Sequence, residues 1–189
     1  MTNRIADIVA ESLEVKRRFF DAHTAEIQQA ADMIAGALRR GGKLLIFGNG
    51  GSAADAQHIA GELVNRFLKK RRALPAIALT TDGGVLTCIA NDTGFENIFS
   101  RQIEALGTSG DACLAITTSG SSPNVILACE QARAKEMQVV GLLGRGGGAV
   151  AALCDVALIV SSNDTQRIQE THNLIGHILC ELIESNLFP

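Results

Sequence analysis

The segment 43-KLLIFGNGGSAADAQHIAGEL-63 decides the fold of this 189-residue chain. It opens with a lysine and four apolar side chains, a continuous run and not an alternation. That pattern suits a strand covered on both faces, as in a parallel sheet. Gly48-Asn49-Gly50-Gly51 then breaks the run, and from Ser52 onward Ile59, Leu63, Val64 and Phe67 share one side of a helix. Strand, glycine turn, helix is the opening half of a βαβ unit. Such glycines let the backbone approach a ligand, and the helix start offers free N–H groups and the positive end of a dipole.

The same alternation continues outward. Short apolar runs recur at 76–79, 112–116, 139–143 and 156–160, each bounded by Gly, Pro, Ser, Asp or Thr. Helical segments are expected at 52–67, 84–91, 95–106, 122–136 and 145–152, with a long last helix over 165–187. This predicts an α/β fold in one domain: a five-stranded parallel sheet flanked by helices, doubly wound in the flavodoxin manner. Ahead of it, Ile5, Ile8, Val9, Leu13, Phe19 and Phe20 form one helical stripe, and Ile27, Ala30, Met33, Ile34 and Leu38 a second, closed by Gly41-Gly42. We expect a leading helical hairpin over 1–40 and the α/β core over 41–189. The stripes are wide enough either to pack against another subunit or to cover their own sheet.

Composition narrows the function. The chain is 47% hydrophobic and 20% charged with a net charge of −3, ordinary for a globular domain and without the basic surplus that nucleic-acid binding requires. The one basic run, Lys69-Lys70-Arg71-Arg72, reads as a solvated loop, with an anion patch as the alternative. Five cysteines without a Cys-x-x-Cys pair, mostly in apolar segments, read as reduced and buried. The first residues carry Asp7, Glu11 and Glu14 and lack an apolar core, so no signal peptide is expected, nor is any membrane span. These readings point to the cytoplasm.

Ligands of an open α/β sheet sit at the carboxyl ends of its strands. The turn after 43–47 is one such end. Another follows 112–116, where Thr117-Thr118-Ser119-Gly120-Ser121-Ser122-Pro123 gathers hydroxyls at a helix start, Ser122 and Pro123 making a good cap and first residue. With no Lys or Arg in it, this loop suits a phosphate monoester held by neutral donors; the plain alternative is helix capping alone. Gly48-x-Gly50-x-x-Ala53 also satisfies a dinucleotide-binding fingerprint. The acidic residue that should follow about 20 positions on is lacking, however, since Asp82 lies farther away.

Ionisable residues cluster by helical spacing. His58 and Glu62 are four apart on one helix; Gln169 and His177 are eight apart on the last, with His172 between them. Imidazole and carboxylate are suitable zinc ligands, an amide oxygen a poorer one, and the same groups could transfer protons. Spacing does not decide between such a site and exposed polar residues on two separate helices.

Four stretches carry a resemblance: GNGGSAADAQHIAGELVNRF (48–67), IANDTGFENIFSRQI (89–103), TTSGSSPNV (117–125) and RIQETHNLIGHIL (167–179). In that order, and over nearly the whole chain, they resemble the phosphoheptose isomerases of the SIS (sugar isomerase) fold. The resemblance implies a homotetramer that converts sedoheptulose 7-phosphate to D-glycero-D-manno-heptose 7-phosphate for bacterial lipopolysaccharide. It implies one zinc ion per subunit on His58, Glu62, Gln169 and His177, and Glu62 and His177 as the acid–base pair. Substrate contacts then fall on Asn49, Gly50, Gly51, Glu62, Asn91, Asp92, Thr117, Thr118, Ser119, Ser122 and Gln169, with no nucleic acid or membrane as partner.

Two departures stand out. Thr117 occupies a position where Ser is common, and Gln166 stands where some members carry Asp, with Asp164 two residues away. A rival expectation comes from the tail 182–189 and the Asn65-Arg66-Phe67 segment, which resemble a non-catalytic SIS-fold adaptor that associates with the replication initiator DnaA. That branch lacks the carboxylate and late imidazole that this chain keeps. A third expectation, an SIS-fold regulator that senses sugar phosphates, lacks a DNA-binding segment here.

Overall fold

In the computed structural model, which describes residues 3–189, the chain builds one five-stranded, all-parallel sheet. The strands are β1 (Leu44–Gly48), β2 (Ala76–Ala78), β3 (Ala112–Thr117), β4 (Gln138–Gly144) and β5 (Val156–Val160), in the order β2-β1-β3-β4-β5. The helices are α1 (Arg4–Arg39), α2 (Gly51–Val64), α3 (Gly83–Thr93), α4 (Ser100–Leu106), α5 (Pro123–Ala134), α6 (Gly148–Ala151) and α7 (Thr165–Leu187). This is the flavodoxin-like order, and its switch point lies between β1 and β3, whose carboxyl ends pair Gly48 with Ile116.

The strands alternate between two cores, as the continuous apolar runs require. Leu44, Ile46, Leu114, Ile116 and Leu142 face α1, α2 and α7. Leu45, Phe47, Cys113, Ala115 and Val139 face the layer built from α4, α5 and α6. β2 is the exception. It is an edge strand, like β5 at the other end, but where alternate residues of β5 are half-buried, its Ile77 is exposed.

Several elements differ from the sequence-based expectation. The two leading stripes belong to a single helix, α1, interrupted at His23 (φ −125°, ψ 21°), and the connecting loop of a hairpin does not exist. Residues 21–26 hold neither Gly nor Pro, so nothing terminates the helix there. The half after the break is buried through Ile27, Ala30, Ala31, Ile34 and Leu38, covering the chain's own sheet; the half before it leaves Ile5 75% and Leu13 63% exposed. The expected helix over 95–106 splits into a 3-10 turn at Phe95–Asn97 and α4. That over 145–152 shrinks to the four-residue α6, because Arg145 and Gly147 adopt positive φ.

The basic run is not simply solvated. The Arg71 side chain is 1% exposed and pairs with the equally buried Glu184 of α7 at 2.8 Å. Of the cysteines, all free, Cys113, Cys129 and Cys180 are buried as expected, while Cys88 is exposed on α3. Burial pushes the Cys180 thiol up to about 12, so it stays protonated and inert. Among the described residues no helix is long and apolar enough to cross a membrane.

Candidate active site

Two loops meet at the switch point. The Asn49 and Asn124 side-chain amides exchange hydrogen bonds of 2.9 and 2.8 Å, joining the turn after β1 to the start of α5. Gly48 is obligatory here: a Cβ would sit 2.6 Å from the Ile116 carbonyl oxygen. Gly50 takes φ +56° as the cap of α2.

The hydroxyl loop after β3 turns around Thr117. Its Oγ1 accepts from the backbone N–H of Ser119 (3.4 Å) and Gly120 (3.3 Å) and lies 3.5 Å from Ser122 Oγ. Thr117 is thus buried and committed to shaping the loop, whereas Thr118, Ser119 and Ser122 are half-buried. Ser122 caps α5 by position, with Pro123 as first residue, yet its hydroxyl makes no capping bond. That leaves the hydroxyl uncommitted to the helix, beside the Asn124 N–H, since Pro123 has no N–H and those of Val125 and Ile126 donate to the Ser122 carbonyl; with the positive end of the helix dipole they suit a phosphate. A cavity of about 420 Å³ opens beside it, lined by Asn49, Phe95, Glu96, Ser122, Pro123 and Asn124.

α2 and α7 run side by side in the same direction, and their facing residues pair in steps of a turn. Gly51 lies against Gln169, Asp55 against Asn173, and His58 against His177. His58 Nε2 is 3.1 Å from Glu62 Oε1 and 3.3 Å from His177 Nε2. His58, Glu62 and His177 each offer one ligand atom, all within 4.8 Å of one another. The two helices therefore meet, and three of the four residues expected to hold a metal converge.

Gln169 sits higher along the seam. Its amide lies where a Cβ on Gly51 would come within 1.9 Å, so only glycine at 51 admits it. Together with Lys16, Asp55, Gln166, Glu170 and Asn173 it lines a second cavity of about 550 Å³. Asn91 and Asp92 are exposed on α3, bonded to each other at 2.8 Å, and line neither cavity. His172, by contrast, is fully buried and bonded to the Leu143 carbonyl, and burial pushes its pKa down to about 4. It is a neutral core residue.

Asp55 was not anticipated from the sequence. Burial raises its pKa, against the lowering effect of Asn173, Gln169 and His58, and one of its oxygens is buried without a partner. The signal was there: 51, 55, 58 and 62 form one face of α2.

The profile of the SIS domain family matches residues 8–144. Over 184 residues the chain is 53% identical to a phosphoheptose isomerase of Aquifex aeolicus, covering 97% of this chain and 96% of the relative. The chain belongs to the phosphoheptose isomerase family. Solved phosphoheptose isomerases agree in fold: that of Neisseria gonorrhoeae superimposes with a TM-score of 0.92 at 44% identity, covering 96% of this chain and 97% of that one. That of Francisella tularensis gives 0.94 at 41% identity, covering 98% and 100%.

In this phosphoheptose isomerase family member, two acidic residues weighed from the sequence are helix caps. Asp164, two residues before Gln166, caps α7, accepting from the N–H of Gln166 (2.9 Å) and Arg167 (3.4 Å). Gln166 itself faces the α2–α7 cavity. Asp82 likewise caps α3 through the Val85 N–H, which leaves the dinucleotide fingerprint without its ribose-binding acid.

The donor set fits a zinc ion. Two imidazoles and one carboxylate are suitable ligands, and ligand atoms on a tetrahedral zinc at ~2.0–2.1 Å lie about 3.3 Å apart. The His58–Glu62 and His58–His177 separations of 3.1 and 3.3 Å match that spacing.

Proposed function

We propose that this chain isomerises sedoheptulose 7-phosphate to D-glycero-D-manno-heptose 7-phosphate, an aldose–ketose isomerisation supplying heptose for lipopolysaccharide. The observation that carries the reading is the convergence of His58, Glu62 and His177 on the α2–α7 seam, in a family of this name. Glu62 as base removes a proton from C1 of the open-chain ketose. The resulting cis-enediol receives a proton at C2, with His177 as the acid–base partner. Such groups contribute ~10²–10⁴-fold each. His58 Nε2 lies within hydrogen-bond distance of both.

Ser119, Ser122 and Thr118 would take the phosphate at the start of α5, with Asn49, Gly50 and Gly51 beside them. Thr117 holds the loop in shape. Glu62 lies 11 residues along α2 from Gly51, about 16 Å of rise. Its side chain tilts back toward the helix start. An extended sugar phosphate therefore lies along α2, and binding at the phosphate end orients the reacting carbons. Asn91 and Asp92 are proposed to bind sugar hydroxyls.

Zinc is the proposed cofactor, on His58, Glu62 and His177 with Gln169 as the fourth ligand. When bound it would polarise the carbonyl oxygen and stabilise negative charge there. A cytoplasmic homotetramer is proposed as the working form. The exposed stripe of Ile5, Ile8, Val9 and Leu13 supports subunit packing.

An NMR assay of sedoheptulose 7-phosphate, with chelator and with zinc restored, tests the reading. Turnover that falls with chelator and returns with zinc is expected. Absence of turnover in the zinc-loaded protein refutes it. The adaptor reading predicts capture by purified DnaA and no isomerisation; an adaptor has no use for the Glu62–His58–His177 cluster.

A further inference from the structure

Phe67 lies past the end of α2, in an irregular stretch that runs to β2. Its ring nevertheless stacks on the His177 imidazole, centroids 5.7 Å apart and planes within 17°. The other contact of that imidazole is edge-on, with His58 at 4.9 Å and 77°. That edge contact, with the 3.3 Å approach of the two Nε2 atoms, holds the imidazole at one end and still lets it turn about that end. A flat ring on its face removes that freedom.

What holds an irregular residue in such a place is the buried carboxylate of Glu184. Its oxygens accept from the backbone N–H groups of Phe67 (2.9 Å), Leu68 (2.8 Å) and Lys69 (2.8 Å), and from Arg71 Nε (2.8 Å). The Arg71 guanidinium in turn donates to the carbonyls of Glu62 (2.9 Å) and Leu63 (2.8 Å), in the last turn of α2. Both belong to the carbonyls that a helix C-terminus leaves without intrahelical partners, and that of Leu63 also accepts from the Leu74 N–H (3.1 Å). One carboxylate, two turns past His177 on α7, thereby sets both the aromatic face behind His177 and the backbone that carries Glu62.

We propose that Phe67 is a positioning residue for His177, placed by Glu184, and that it acts on the rate of proton transfer and not on substrate capture. The inference rests on His177 having the role given under Proposed function. Phe67→Leu and Phe67→Met keep the backbone N–H bond to Glu184 and the apolar filling, and lose only the flat ring. Phe67→Tyr keeps the ring.

Steady-state kinetics on the zinc-loaded enzyme should show kcat down about tenfold in the Leu and Met variants with KM within about twofold, since misplacement of a reacting group acts on the barrier. The Tyr variant should restore kcat. A second readout does not depend on turnover: in histidine-labelled protein, the His177 Cδ2–H resonance should be sharp and shifted upfield by the ring in wild type and the Tyr variant. It should move downfield and broaden in Leu and Met. Leu and Met variants with wild-type kcat, or with an unchanged His177 resonance, overturn the proposal. So does a fall in kcat matched by a rise in KM, or one that Tyr does not rescue. Wild-type protein that fails to isomerise would sink the activity reading instead, and the resonance would still report on the stack.

Discussion

Replacing Glu184 by Gln is the most exacting test of how this structure is held together. The carboxylate faces four donors and no acceptor, so the amide that replaces one oxygen must point its own N–H groups at N–H groups. Arg71 is left as a buried cation without its counter-charge, both side chains being 1% exposed. Removing one partner of a buried pair costs about 3–5 kcal/mol. At ~2–4 °C per kcal/mol for a chain of this size, Tm should fall by roughly 6–20 °C. Differential scanning calorimetry at one fixed protein concentration measures it, since association also moves Tm. The double variant Glu184→Leu with Arg71→Met should recover only part of the loss. Three backbone N–H groups and the Glu62 carbonyl lose their partners in it, at about 1–3 kcal/mol for each buried group left unmade, while the Leu63 carbonyl keeps the Leu74 N–H. A fall of less than about 3 °C for Glu184→Gln would refute the argument that this carboxylate is the anchor of the segment.

Other perturbations follow from the same geometry. Gly120 has φ +66° and would place a Cβ 2.1 Å from the Gly147 carbonyl oxygen, so Gly120→Ala should cost about 2 kcal/mol or more and raise KM for the phosphorylated substrate, read by denaturant titration and kinetics. Gly51→Ala meets only the flexible end of Gln169; stability should change by less than about 1 kcal/mol while isomerase turnover falls at least tenfold, a split visible in paired melts and assays. His172 is neutral in the fold with a pKa near 4 against an ordinary 6.5, so the unfolded chain takes up the proton first. Its contribution is complete above pH 6.5 and lost between 6.5 and 4, on the order of 3 kcal/mol, and His172→Gln should flatten that limb of the stability–pH curve. Asp111 is a carboxylate whose pKa burial would raise but which Lys43 and Thr108 hold below normal; Asp111→Asn should lose stability at neutral pH and converge with wild type in acid, measured by urea unfolding.

The sheet was legible because its strands are covered on both faces and so appear as unbroken apolar runs; 156–160 matched β5 residue for residue. β2 betrayed its edge position only through the exposed Ile77, which the run Ala76-Ile77-Ala78 hides. The break at His23 was not readable as a break without a hairpin, because a kink can lie between two good helical stripes with no helix breaker there. At the site, the i,i+4 spacing of His58 and Glu62 was local and visible. Their meeting with His177 depends on α2 and α7 running side by side, which no local pattern encodes. Arg71 in a run of four basic residues looked solvated, and Glu184 in the tail looked unremarkable. Each is explained only by the other, 113 residues away.

The reciprocal amide bridge between Asn49 and Asn124 means that the mouth of the switch point is a rigid socket before anything enters it. The two segments it rivets come from opposite sides of the sheet's reversal, so neither can breathe without dragging the other. If the proposed phosphate site is right, an arriving anion would meet donors already arrayed, and capture would be governed by encounter and not by rearrangement.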